Sequence, residues 1–288
     1  MTIDLLIGLV TLAILYALEA VLPFYRDRRD RLAHGLRNGG LALTAGAVGA
    51  LQAPLTLAVM ALTAGAGFGL THWLTPVLTT QLVPSVLAAL LTGALVFVLF
   101  DLWMYLWHRM NHRLSLLWRF HQVHHTDTAM DATTALRFHP GEIILSNLLR
   151  LPVIALLGMG MVHLLVYQSV MLVVILFHHS NLRVPDWLDH GLRPLLVPPS
   201  LHRVHHSHLR VETDSNYGTV FSVWDRLFGS LVIRPDPEAI EFGTGRRDGP
   251  QWQGVGRLLS LPLRPLRDGD AIATASAARG DPTAAGGA

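Results

Sequence analysis

Three short stretches of this sequence concentrate histidine at spacings of one, three and four residues: WHRMNH (107–112), HQVHH (121–125) and HRVHH (202–206). Positions i, i+3 and i+4 share one helix face. On helices, His108 with His112, His121 with His124 and His125, and His202 with His205 and His206 would each aim their imidazoles at one point. Neutral imidazole is the commonest protein metal ligand, and nitrogen-rich sites suit iron, zinc, copper or nickel. A lone histidine at a membrane boundary is usually a packed side chain. Two copies of H-x-x-H-H beside H-x-x-x-H form a metal-binding pattern. The chain has no cysteine, which excludes thiolate ligands, disulfides and iron–sulfur clusters held by its own side chains.

The elements that must position these histidines are apolar. Of 288 residues, 51% are hydrophobic and 15% charged. Residues 39–100 contain no Asp, Glu, Lys or Arg, room enough for two spans at about 20 residues each. Residues 3–24 read as a first span and not a cleaved signal: the start carries Asp4 and no positive residue, and the run continues through Glu19 to Pro23 without a cleavage site. Arg26, Arg28, Arg29, Arg31 and Arg37 follow, placing that loop in the cytoplasm. A second span is expected near 40–66, an arginine-free link at 67–84, and a third span near 85–107 that delivers His108 and His112 to the cytoplasmic edge. Residues 126–142 are polar and should wrap the site. Residues 143–177 carry Arg150 as their only formal charge and are broken by Pro152, Gly158 and Gly160, a pattern for a helical hairpin that dips into the membrane and returns. A single span there would put the last histidine group on the opposite face.

The expectation is an all-α integral membrane bundle of about three spans plus the embedded hairpin, with a cytoplasmic histidine-rich cap. Its parts are membrane helices at 1–100, the histidine region at 101–233, and loops with a disordered tail at 234–288. Trp224 and Phe228, four apart, read as anchors of a short amphipathic surface helix. Asp101, two turns before His108, could orient a ligand imidazole or pair with an arginine at the helix end. Nothing resembles a basic, aromatic-interleaved tract, so no nucleic-acid partner is expected.

The histidine stretches, together with RFHP and Glu142 (137–142), HHSN (178–181), NYG (216–218) and WDRLFG (224–229), resemble in order the membrane fatty acid hydroxylase and sterol desaturase superfamily, over roughly residues 95–232. The sterol-desaturase-like and alkylglycerol-monooxygenase-like branches are the most similar. The resemblance implies a non-haem centre of two iron ions that uses O2 to hydroxylate or desaturate a membrane lipid (a fatty acyl, sterol, ether or amino lipid). It also implies a separate electron donor, a ferredoxin or cytochrome b5-like protein with its reductase; with the arginine-rich loop, the expected setting is a bacterial inner membrane with the active site on its cytoplasmic face. By resemblance His179 completes the set His108, His112, His121, His124, His125, His202, His205 and His206. Nine donors exceed the three or four that one zinc needs. Arg137, His139, Glu142, His178 and Asn216 are expected at the edge of the site or in contact with its ligands, with His139 and His178 open as ligands. The rival readings are a membrane metal-ion transporter and a metal-dependent hydrolase. H-E-x-x-H is absent, and the uncharged spans offer little to relay an ion.

Overall fold

The computed structural model describes residues 3–26, 30–81 and 83–264. The fold is all-α, and five stretches are long and apolar enough to cross a bilayer: Ile3–Val21, Arg31–Thr80, Ser85–Arg113, Pro140–Leu157 and Met161–His179. Their outer faces leave Leu43, Leu51, Leu62, Val86 and Val162 more than two-thirds exposed. A belt of this kind is stable only against lipid. This is an integral membrane protein.

Helix α1 (Ile3–Val21) carries one acid near its end, and burial explains what that acid does. Glu19 accepts the backbone N–H of Ala132 at 2.9 Å and of Asn181 at 2.7 Å, and pairs with Arg31 at 3.0 Å. Helix α2 (Arg31–Gly65) therefore starts well before residue 40. Arg31 is bound to Glu19 and is not a free loop cation, while Arg28 and Arg29 lie outside the described residues. The expected link at 67–84 contains a further helix, α3 (Leu70–Gln81).

Helix α4 (Ser85–Arg113) runs past residue 107, so His108 and His112 belong to the same uninterrupted helix as the span. Leu114 alone is extended, with ψ of 119°, and α5 (Ser115–His125) leaves it at once. That single-residue corner turns the faces of the first two histidine groups toward each other. A capping box between Asp131 and Thr134 then starts a 3-10 turn at Ala132–Leu136.

The 143–177 stretch does break at 158–160, giving α6 (Pro140–Leu157) and α7 (Met161–His179). The two helices lean mainly on different partners, α6 on α2 and α7 on α1, with α4 touching both. Met60, Val96, Phe100, Ile154 and Tyr167 fill the seam where α2, α4, α6 and α7 meet. Gly158 ends α6 at φ 64°, and the α2–α3 turn packs against it so closely that a Cβ on Gly69 would stand 2.5 Å from Ala155 O.

Beyond α7, α8 (Asp186–Leu192) and α9 (Pro199–His205) bring the third histidine group back under the bundle, and α10 (Arg210–Thr213) follows. On helix α11 (Val223–Leu227), Leu227 is exposed, but Trp224 is not an interfacial anchor. Trp224 is buried and donates Nε1–H to Asp101 at 2.8 Å, while Phe228 stacks on Tyr105. The C-terminal segment also joins the core: α12 (Val255–Ser260) packs Leu258 against Leu41 and Val123. The tail expected to be disordered after Asp268 lies outside the described residues.

Candidate metal centre

Helices α4, α5, α7 and α9 converge at one end of the bundle with their histidines inward. The imidazoles fall into two groups: His108, His112, His121, His125 and His205, and His124, His179, His202 and His206. Within each group one ring nitrogen per residue lies within 4.8 Å of all the others. Adjacent residues on α5 and α9 point about 100° apart, and each helix uses that angle to serve both groups: His124 and His125 diverge, as do His205 and His206.

Several rings have their tautomer fixed from behind. Nδ1–H of His108 donates to Tyr217 O at 2.9 Å, that of His205 to Ser215 O at 2.7 Å, and that of His179 to Ile175 O at 2.7 Å. Nδ1–H of His121 donates to Glu142 at 2.9 Å, and Asn111 donates to the same carboxylate oxygen. A proton committed on Nδ1 leaves Nε2 as a lone pair facing the group centre, the arrangement by which metal-binding histidines are oriented. His112 Nδ1 stands 3.4 Å from Asp214 Oδ1.

The inward nitrogens have no protein partner that would account for their burial. His108, His121 and His205 leave Nε2 without a hydrogen bond, and His112, His125 and His206 leave both nitrogens without one. Buried polar atoms are normally satisfied, so these rings have room for a cation. Nε2 of His179 lies 3.0 Å from Nε2 of both His124 and His202. Two nitrogens bound at about 2.1 Å to one ion at right angles would stand about 3.0 Å apart. Burial also holds His124, His125, His202 and His206 well below the ordinary imidazole value and His205 down to about 3. These five rings are therefore neutral, as ligands must be. The donor set fits two metal ions.

Known proteins share the region that carries these residues. Residues 93–230 match the fatty acid hydroxylase family. The match covers just under half of this chain. The chain's two histidine clusters are consistent with the di-iron centre typical of the family. An ornithine lipid hydroxylase of Rhizobium tropici is 31% identical over 139 residues, 48% of this chain and 41% of that protein. Alkylglycerol monooxygenases of Danio rerio (33% over 142 residues, 47% of this chain and 29% of that protein) and Homo sapiens (33% over 130 residues, 43% and 26%) also match. The chain thus covers well under half the length of these relatives. No solved structure matches it.

The remaining residues singled out by sequence take up supporting positions. Glu142 contacts His121 directly. Arg137 is fully buried and makes no hydrogen bond to a histidine of the clusters; it donates to Val123 O, Asn38, Thr126 and Gln253, fixing the end of α5. His139 caps α6, accepting Gly141 N–H on Nδ1 and donating Nε2–H to Leu259 O, so both nitrogens are engaged away from the centre. Asn216, at φ 50°, ties Leu201 O to Val232 and so holds α9. His178 belongs to neither group and stacks on His202 at 3.8 Å. Neither expectation for Asp101 holds. Its carboxylate accepts from Tyr167 Oη, Trp224 Nε1 and the backbone of Val220 and Phe221, tying α4 to α7 and to the loop before α11.

Three positioning residues escape a reading based on histidine spacing: Glu19, His34 and Asp225. His34 is buried between Asp127 and Asp131, and bonds both carboxylates at 2.9–3.0 Å. Asp225 accepts the N–H groups of Tyr217 and Gly218, the loop whose carbonyl fixes His108. An acid in an apolar span was the available signal for Glu19. No local signal marks His34, whereas Asp225 lies within the WDRLFG stretch (224–229).

A cavity of about 160 Å³ opens beside the centre, lined by His108, His121, His124, His178, His179 and His202 on one side and by Met104, Met171 and Ile175 among its apolar walls.

Proposed function

We propose that this chain is an O2-dependent, di-iron lipid oxidoreductase of the hydroxylase type. Its ligands are His108, His112, His121, His125 and His205 for one ion and His124, His179, His202 and His206 for the other. The observation that carries this reading is the pair of buried histidine groups with unsatisfied inward nitrogens, opening on an apolar cavity within a membrane bundle. Bound iron would supply the activation of O2 that inserts oxygen at an unactivated C–H bond, chemistry beyond any side chain here. The protein's part is orientation and exclusion. Glu142 and the carbonyls of Tyr217, Ser215 and Ile175 hold four rings in one tautomer, and Met104, Met171 and Ile175 exclude water beside them.

The substrate is a lipid carrying a long alkyl chain. The relatives are named for an ornithine lipid, alkylglycerols and, in rice, very-long-chain aldehydes. Two of these names, hydroxylase and monooxygenase, favour hydroxylation over desaturation. Each turnover consumes two electrons, delivered by a separate ferredoxin or cytochrome b5-like donor. The active site faces the cytoplasm of a bacterial inner membrane. Glu19 ties the end of α1 and Arg31 at the start of α2 to the histidine end of the bundle, so the arginine-bearing turn and the centre share one face. In that frame α6 leaves this face and α7 returns to it as the membrane-embedded hairpin.

Metal analysis with Mössbauer spectroscopy on protein from iron-57-grown cells tests the reading. About two coupled irons per chain are expected. One zinc, or no metal after reconstitution with ferrous iron, would overturn it.

A further inference from the structure

Arg150 is a charge that the metal centre does not use. It lies ten residues into α6, within a stretch apolar enough to cross a membrane. Ionisable residues at such depth are rare and mark binding or transport sites. Its guanidinium turns back toward the histidines: Nη2 donates to Ser146 Oγ at 2.9 Å and Nε to Ser146 O at 3.3 Å, one turn closer to the centre. Arg150 and Ser146 line the same cavity as His108, His124 and His179.

No carboxylate among the described residues pairs with it. Asp101 spends both oxygens on Tyr167, Val220, Phe221 and Trp224, and Glu142 directs Oε1 to His121 and Asn111. Nη1 and one proton of Nη2 remain for a ligand, and a guanidinium edge matches the two oxygens of a carboxylate or phosphate. The walls provided by Met104, Met171 and Ile175 are apolar, which strengthens any such pairing.

We propose that Arg150 is a specificity residue that binds an anionic oxygen group, a carboxylate or phosphate oxygen, at the end of an alkyl chain. The lipid then enters polar end first. At about 160 Å³ the cavity holds roughly five water-sized groups. It takes the anion and the first few carbons while the rest of the chain stays in the bilayer. The carbons nearest the anionic group are the ones presented to the histidines, a consequence that rests on the hydroxylase reading; the binding of the anion does not.

Equilibrium binding of radiolabelled palmitate, dipalmitoyl phosphatidate and 1-hexadecanol to the detergent-purified full chain tests this without iron, reductant or turnover. Arg150→Gln should weaken palmitate or phosphatidate binding at least tenfold and leave hexadecanol unchanged, and the anion affected identifies a free acid or a phospholipid head as the source. Arg150→Lys should restore most of the loss. If Arg150→Gln binds all three as the wild type does, or loses hexadecanol in parallel with the anions, Arg150 is a structural residue and the proposal fails. Absence of iron from the protein would sink the oxygenase reading and leave this result standing.

Discussion

The two histidine groups are built differently. In the five-histidine group, His108, His121 and His205 are each held from behind by a carbonyl or carboxylate, and His112 and His125 sit in the interior beside Trp118. In the four-histidine group only His179 is tethered, to its own helix, and Nδ1 of His124, His202 and His206 has no partner. Three of its four members face the cavity, against two of the five in the other. One position is preorganised and remote, and the other is adaptable and turned toward the cavity. A centre that must hold iron and also admit a ligand benefits from that division, because tethering raises affinity while freedom allows the coordination to change.

The largest expected effect follows from removing one donor on each side. His205→Ala and His206→Ala should both reduce turnover to background and leave close to one iron per chain. The residual ion should resist chelator in His206→Ala, where the tethered group is intact, and wash out quickly in His205→Ala. Equal lability in the two variants would remove the distinction.

Glu142→Gln sharpens the same contrast without touching a ligand. The carboxylate that accepts from His121 serves only the five-histidine group. Loss of such a partner typically costs about 10–100-fold in metal affinity or activity. A titration with ferrous iron should show one of two binding steps weakened by that factor. Weakening of both steps would mean that the groups do not bind independently.

Arg137→Met acts on both groups together. Two of its four donated hydrogen bonds hold Val123 O on α5 and Thr126 just past its end, and that helix supplies residues to each group. Leaving a buried acceptor without its donor costs about 1–3 kcal/mol, and four acceptors lose theirs here. The thermal midpoint in detergent should fall sharply and both iron steps should weaken alike. A selective effect on one step would contradict the shared role.

How much of this was legible in the sequence depended on whether the signal was local. Spacings of one, three and four residues survive folding because each histidine group rides on a helix, so His121, His124 and His125 could be read together. Their division into five and four could not. It depends on α4, α5, α7 and α9 crossing at one point, and on the 100° step that sends His124 and His125 to different groups. Asp101 shows the same limit from the other side. Two helical turns before His108, it lies on the predicted face, yet its partners come from α7 and from residues 220–224, more than sixty positions away. Trp224 read as an interfacial anchor because amphipathic spacing does not reveal that its indole N–H meets a buried carboxylate. The apolar spans were visible from composition, whereas the start of α2 at Arg31 depended on a distant pairing with Glu19.

The smallest expected effect concerns a tether of the five-histidine group at one remove. Asp225 accepts from Tyr217 N, Gly218 N and Ser230 Oγ, and so holds the loop whose carbonyl orients His108. Despite these donors, burial pushes its carboxyl from the usual 3.8 up to about 6. The raised value means that between pH 4 and 6 the folded chain holds a proton that the unfolded chain has released. Ionised Asp225 therefore costs stability above pH 6, and the cost is relieved as pH falls. Between pH 7 and pH 5 this amounts to about 1 kcal/mol in favour of folding at the lower pH. Other groups titrate over the same range, but they are common to the wild type and Asp225→Asn, so the difference between the two chains isolates this carboxyl. The unfolding midpoint of the wild type should rise relative to that of Asp225→Asn between pH 7 and pH 5. Parallel pH dependences would show that the donors, and not burial, set the state of Asp225, and that the loop behind His108 is held by a permanently charged group.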